Sequence, residues 1–133
     1  MAAKRLLRTF LSETDKAISS FERSMRISPL DPYNFNAMIG IGSAHLHAER
    51  FEQGLEWVTK GIATRPSATW AWRLAVLAYV GLDRMDDARE AMAKFLAGNP
   101  GMTVSRVAKS LLLRDPARRQ WHLDGLRKAG LPE

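Results

Sequence analysis

The side chains of this 133-residue chain that could carry chemistry are few and scattered. His45 and His47 lie two apart, so on a helix they point about 200° from each other and cannot share a metal ion. His45 suits a packed interior imidazole, and His47 turns more toward a groove. Asp83, Asp86 and Asp87 resemble an Mg²⁺-binding cluster, but no other ligands converge on them. Carboxylates at that spacing suit a turn and the first turn of a helix, beside its free N–H groups. Gly40-Ile41-Gly42 is a fragment of a dinucleotide fingerprint without the third glycine or a preceding strand. The serines have no organised base and acid partners. With no cysteine in the chain, disulfides and thiolate metal sites are excluded. These residues describe a non-catalytic protein without a cofactor or a metal.

The elements that position them follow a ruler of prolines: Pro32, Pro66 and Pro100 fall 34 residues apart, although Pro29 sets the phase of the first unit. Leu6, Leu7, Phe10 and Leu11 at helical spacing, with Lys4, Arg5 and Arg8 between them, predict a short amphipathic helix, marginal alone. Ser12-Glu13-Thr14-Asp15 then supplies capping residues for a second helix through Ala17, Ile18, Phe21, Met25 and Ile27. Ser28-Pro29-Leu30-Asp31-Pro32 ends it. Residues 35–68 carry Met38, Ile41, Gly42 and His45 on one helix and Phe51, Gly54, Val58 and Gly61 on the next. Residues 69–102 repeat that arrangement with Trp72, Ala75, Val76 and Tyr79, then Ala88, Met92 and Phe95. Thr103 to Leu113 reads as a further helix. Asp115-Pro116 starts a last one, with Trp121, Leu123, Leu126 and Leu131 as apolar contacts and Gly130 as its stop.

The 34-residue period and these positions resemble the tetratricopeptide repeat (TPR). The resemblance implies an all-α fold of antiparallel helical hairpins, stacked as a short TPR-like solenoid with a C-terminal capping helix. One domain then spans residues 1–133, with a partial first repeat at 1–34, repeats at 35–68 and 69–102, and capping helices at 103–133. Ala17 to Arg23, Ile27 to Pro32, Met102 to Val107 and Gly125 to Glu133 resemble, more specifically, the C-terminal TPR region of bacterial proteins related to class III adenylate/guanylate cyclases and winged-helix regulators. That likeness covers residues 15–133. Residues 1–14 do not reproduce a full first helix, and nothing resembles a cyclase catalytic domain, so cyclase activity is not implied.

In the TPR family the first helices of the hairpins line a concave surface. The matching positions here are Asn36, Ile39, Ser43, Leu46, His47, Trp70, Arg73, Leu77, Val80 and Gly81. An apolar groove with a few polar points suits a protein or peptide segment, read by Trp70 and anchored by Arg73. Arg73 and Asn36 alone are too few for the terminal-carboxylate clamp of chaperone-binding TPR domains. The alternative for the groove is that the C-terminal helices fill it.

The charge is +6, and it sits at the ends. Residues 35–68 and 69–102 are each neutral, whereas residues 103–133 hold seven basic side chains against three acidic ones. Arg106, Lys109, Arg114, Arg118, Arg119, Arg127 and Lys128 form the rival site, a nucleic-acid or anionic surface. Self-association through an apolar edge at Leu7, Phe10 and Phe21 is the third reading. No apolar run approaches the roughly 18–20 residues of a membrane span. The N-terminus lacks the apolar core of a signal peptide, which predicts a cytoplasmic protein.

Overall fold

The computed structural model describes residues 2–111, 113 and 115–133, with side chains from residue 11 onward. Every regular element among them is helical: α1 (Ala2–Ile27), α2 (Asn34–His47), α3 (Phe51–Thr64), α4 (Trp72–Gly81), α5 (Met85–Gly98), α6 (Val104–Ser110) and α7 (Pro116–Lys128). A 3₁₀ turn, Thr69–Ala71, leads into α4. The chief contacts are α2 on α3 and α4 on α5, with α1 against α2 and α3 against α4. Two helical hairpins are thus stacked in series, and α7 lies back across α4.

The two hairpin turns are built identically, one period apart. Glu49 has φ of 61° and Asp83 has φ of 57°, both in the left-handed region. At each turn the next amide reaches back five residues, Arg50 N to the His45 carbonyl and Arg84 N to the Tyr79 carbonyl, both at 2.8 Å. The preceding amides, of Glu49 and Asp83, bond the carbonyls of Leu46 and Val80. This is the Schellman closure, which satisfies the last carbonyls of the first helix while reversing the chain. The same closure ends α7, where Gly130 takes the left-handed position with φ of 101°.

Three sequence expectations need correction. The short N-terminal helix and its successor are one continuous helix of 26 residues. Ser12-Glu13-Thr14-Asp15 lies within it, with Thr14 buried and Asp15 paired to Arg50 at 2.9 Å. Ser, Thr and Asp cost a helix interior only a few tenths of a kcal/mol each, and no Pro or Gly interrupts the chain before Ser28-Pro29. The helix expected from Thr103 to Leu113 stops at Ser110, because the Arg119 guanidinium donates to the carbonyls of Ala108 and Leu111. Phe21 does not stand at a free edge: its ring fills the space over Gly40 that a side chain there would need. The side chains of Leu7 and Phe10 lie outside the described residues, as do Leu112 and Arg114. The three aspartates stand where expected, Asp83 in the turn and Asp86 and Asp87 in the first turn of α5. Asp86 pairs with Arg89 at 3.0 Å, Asp87 pairs with Arg84 at 2.9 Å, and Asp83 makes the turn.

The core runs along the inner faces of both hairpins. Ile41, Leu46, Val58, Val76, Leu77 and Phe95 are almost wholly enclosed, with Ala71, Ala75, Ala78 and Ala88 between them. Alanines and glycines let the helices approach closely enough for the larger side chains to interlock. α2 meets α3 backbone to backbone. A Cβ at Gly42 would stand 2.5 Å from Val58 Cγ2, 2.9 Å from the Val58 backbone nitrogen and 3.0 Å from the Gly54 carbonyl oxygen. Two of those neighbours are backbone and cannot rotate away.

Gly42→Ala therefore tests whether close packing outweighs helix propensity at this site. Alanine gains about 1 kcal/mol in intrinsic preference. Forcing the hairpin apart costs about 1–3 kcal/mol. Urea unfolding should show a net loss of stability, opposite in sign to the propensity scale.

Candidate functional site

The concave face is formed by α2 and α4, and α7 crosses it. Its N-terminus is set by Asp115, whose carboxylate accepts from the Ala117 amide at 3.1 Å, with Pro116 in the first turn. One turn further on, Trp121 and His122 meet the end of α2. The His47 ring stacks on His122 with centroids 5.5 Å apart, and meets Trp121 edge-on at 5.6 Å. Trp121 also stacks on Phe51 at 6.0 Å. Gly125 then allows α7 to lie directly on α4: a Cβ there would come within 2.6 Å of Leu77 Cδ2.

Two hollows border α7. One, of about 390 Å³, is lined by Asn36, Ile39, Gly40, Ser43, His47, Trp70, Arg73, Leu74, Leu111, Leu113 and His122. Asn36 and Trp70 are exposed at its rim, whereas Ile39, Leu74 and His122 are buried at its base. The other, of about 360 Å³, lies among Phe51, Leu77, Val80, Gly81, Trp121, Asp124, Gly125 and Lys128.

The residues expected on the concave face are therefore divided. Asn36, Ile39, Ser43, His47, Trp70 and Arg73 converge on the first hollow. Val80 and Gly81 line the second. Leu46 packs against Gly54 inside the first hairpin, away from both hollows, and Leu77 lies under Gly125 at the wall of the second. The groove is neither open nor filled along its whole length, since α7 closes its middle and leaves a hollow. His122 was absent from the sequence-based set. Its signal was present, for it stands four residues before the buried Leu126 and shares that inward face, a polar residue on an apolar stripe.

The polar groups of the first hollow are incompletely partnered. His122 is 1% exposed and neither of its ring nitrogens has a hydrogen-bond partner among the described residues. The same holds for His47 Nδ1 and Arg73 Nε. Burial pushes the His122 pKa down to about 3, helped by the charge of Arg73 and by His47. Burial likewise lowers His47 to about 4, helped by Arg118 and Arg73. Arg73 is itself lowered by burial. His45 faces away from this cluster; burial, then Arg50, lowers its pKa against the opposing fields of Asp15 and Glu22.

The basic C-terminal residues are partly committed within the fold. Arg119 holds the end of α6, and Arg127 pairs with Asp124 and Glu133, both at 2.8 Å. Arg106, Lys109 and Lys128 are exposed, and Arg118 is half-buried beside His47. No described helix is long and apolar enough to cross a membrane.

No family model matches the chain, and neither does any curated protein. Solved structures do. A structure described as "MamA RS-1 ArsTM double mutant", of a TPR-containing protein, matches over 90% of this chain and 67% of that one, with 20% identity and a TM-score of 0.60. At that identity the likeness concerns the fold alone, and the fold is a TPR-like helical repeat.

The histidine seam makes stability depend on pH with a definite sign. Both imidazoles have folded pKa values below the ordinary 6.5, so the unfolded chain binds more protons at acid pH. Stability is at its full value above pH 6.5 and is lost as pH falls toward 4 and 3. At about 1.4 kcal/mol per unit of separation, His122 alone removes about 3 kcal/mol by pH 4. His47 contributes in the same direction. Thermal unfolding across this range should show the loss, and His122→Gln with His47→Gln should flatten it.

Proposed function

We propose that this chain is a non-catalytic protein–protein interaction module, regulatory or scaffolding in role, that takes a segment of a partner protein on its concave face. One observation carries the reading. The concave face keeps an apolar hollow between α2 and α4, with Trp70 41% exposed and Asn36 exposed at its rim, although α7 covers the rest. A large aromatic left at the mouth of an apolar hollow is the usual anchor of a binding energy hot spot. The bound segment is a short one, because α7 denies it the full length of the groove. The TPR-like fold supports a protein partner, and the resemblance of residues 15–133 to the C-terminal region of cyclase-like bacterial proteins supports a regulatory or scaffolding place for it.

The rim and the basic C-terminal surface can be tested against each other. Partner capture by in-cell crosslinking should be lost with Trp70→Ala and Asn36→Ala together, a weakening of about 30-fold for a hot spot worth about 2 kcal/mol. Helical content should stay unchanged, since both side chains are exposed. Lys109→Glu with Lys128→Glu should leave capture intact. Recovery of nucleic acid that only the lysine variant abolishes would transfer the function to the C-terminal helices, with the steep salt dependence of phosphate contacts.

A further inference from the structure

The base of the first hollow holds an unusual set of groups: a guanidinium and two imidazoles, drawn from α4, α2 and α7, that enclose nitrogens without partners among the described residues. Buried polar groups are nearly always satisfied, and an exception asks for the group that would satisfy it. Solvation does not reach these atoms, and leaving them unpaired weakens the fold. Arg73 Nε and the protonated nitrogen of neutral His122 lack acceptors, and the other nitrogen of His122 lacks a donor. No acidic side chain among the described residues lines this hollow; Asp124, the nearest along α7, borders the other one and pairs with Arg127. Arg73 forms no ion pair among the described residues.

We propose that the hollow bounded by Arg73, His47 and His122 is a binding site for a small organic monocarboxylate with a compact apolar body. The donors match one carboxylate. Arg73 offers the planar fork that pairs with two oxygens, and each neutral imidazole offers one N–H. The charge matches as well. Arg73 supplies a positive charge at the hollow, Arg118 adds another beside His47, and burial keeps both rings neutral near pH 7, so the local field favours an anion. Ile39, Leu74 and Trp70 form an apolar wall beside these donors. A volume of about 390 Å³ lies at the small end of ligand cavities and admits an aryl or branched aliphatic acid rather than a folded segment. Because the donors belong to three helices, occupancy also ties α7 to the repeats.

This inference goes beyond the interaction reading and does not require a protein partner. It is tested by titration calorimetry of the full chain near neutral pH with phenylacetate and hexanoate, beside phenylacetamide and hexanamide. A peptide with a hydrophobic last residue is added, with its terminus either free or amidated. The acids should bind at least about tenfold more tightly than their amides, the least that a bidentate charged contact provides. Arg73→Gln should remove that preference without lowering the melting temperature, since it removes an unpartnered buried charge. His122→Gln should weaken acid binding, whereas Arg84→Gln, exposed on another face, should not. Acids that fail to bind at millimolar concentration, or bind no better than amides, overturn the proposal and leave the hollow to water. So does equal binding by Arg73→Gln. Binding by the free-terminus peptide alone moves the carboxylate to a chain end and overturns the small-acid assignment. Loss of acid binding with partner capture intact leaves the interaction reading standing, and the reverse result does the opposite.

Discussion

The docking of α7 on the concave face is the contact on which the rest of this molecule depends. Two hairpins stacked in series leave an apolar inner surface that cannot face water, and a short solenoid has few repeats with which to cover it. Gly125 permits direct contact with Leu77, and Trp121 and His122 close on His47 and Phe51. The terminal loop then secures α6 beside it. The carbonyl of Pro132 accepts from the Val104 amide at 2.7 Å, and Ser105 Oγ donates to the Glu133 carbonyl at 2.9 Å. The end of the described chain thus caps α6, with Thr103 supplying the side-chain cap to Arg106 N.

This closure places polar groups where an apolar core would be more stable. His122 buried in the seam without a hydrogen-bond partner among the described residues, and Arg73 without a carboxylate beside it, are costs that packing alone does not explain. A seam assembled only for stability would use apolar residues of the same volume. The polar residues converge on a hollow that the rim keeps accessible, so the seam and the candidate site are the same place. Whatever occupies the hollow acts on the docking of α7, and whatever loosens α7 acts on the hollow. A ligand held by these three side chains would link stability to binding.

The front of the chain follows a different logic. α1 runs past the point where its own sequence offers caps, because nothing there forbids a helix, and Arg50 from the turn between α2 and α3 pairs with Asp15. Phe21 over Gly40 then fixes where α1 meets α2. At the end of α1 and in the turn beyond it the chain exposes Ile27, Leu30 and Tyr33. Asn34 Nδ2 donates to the Ser28 carbonyl across this turn at 2.9 Å, and Arg65 stacks on Phe35 from the far end of the hairpin.

The 34-residue period, the helical hairpins, their turns and the start and stop of α7 were legible in the sequence, because each rests on interactions within a few residues. Asp115-Pro116 and Gly130 mark helix ends wherever they occur, and Glu49 and Asp83 close equivalent turns with equivalent hydrogen bonds. The resemblance to the tetratricopeptide repeat also implied that Asn36, Ile39, Ser43, Trp70 and Arg73 share one face, and they line one hollow. It could not show that α7 would cross that face, because the face a terminal helix covers depends on contacts between residues far apart in the chain. His122 joined His47 and Arg73, and Leu77 was sealed beneath Gly125, only through that long-range packing. Local spacing determined the elements and their repeat; the burial of polar and apolar side chains between distant helices decided where the hollow lies and which groups line it.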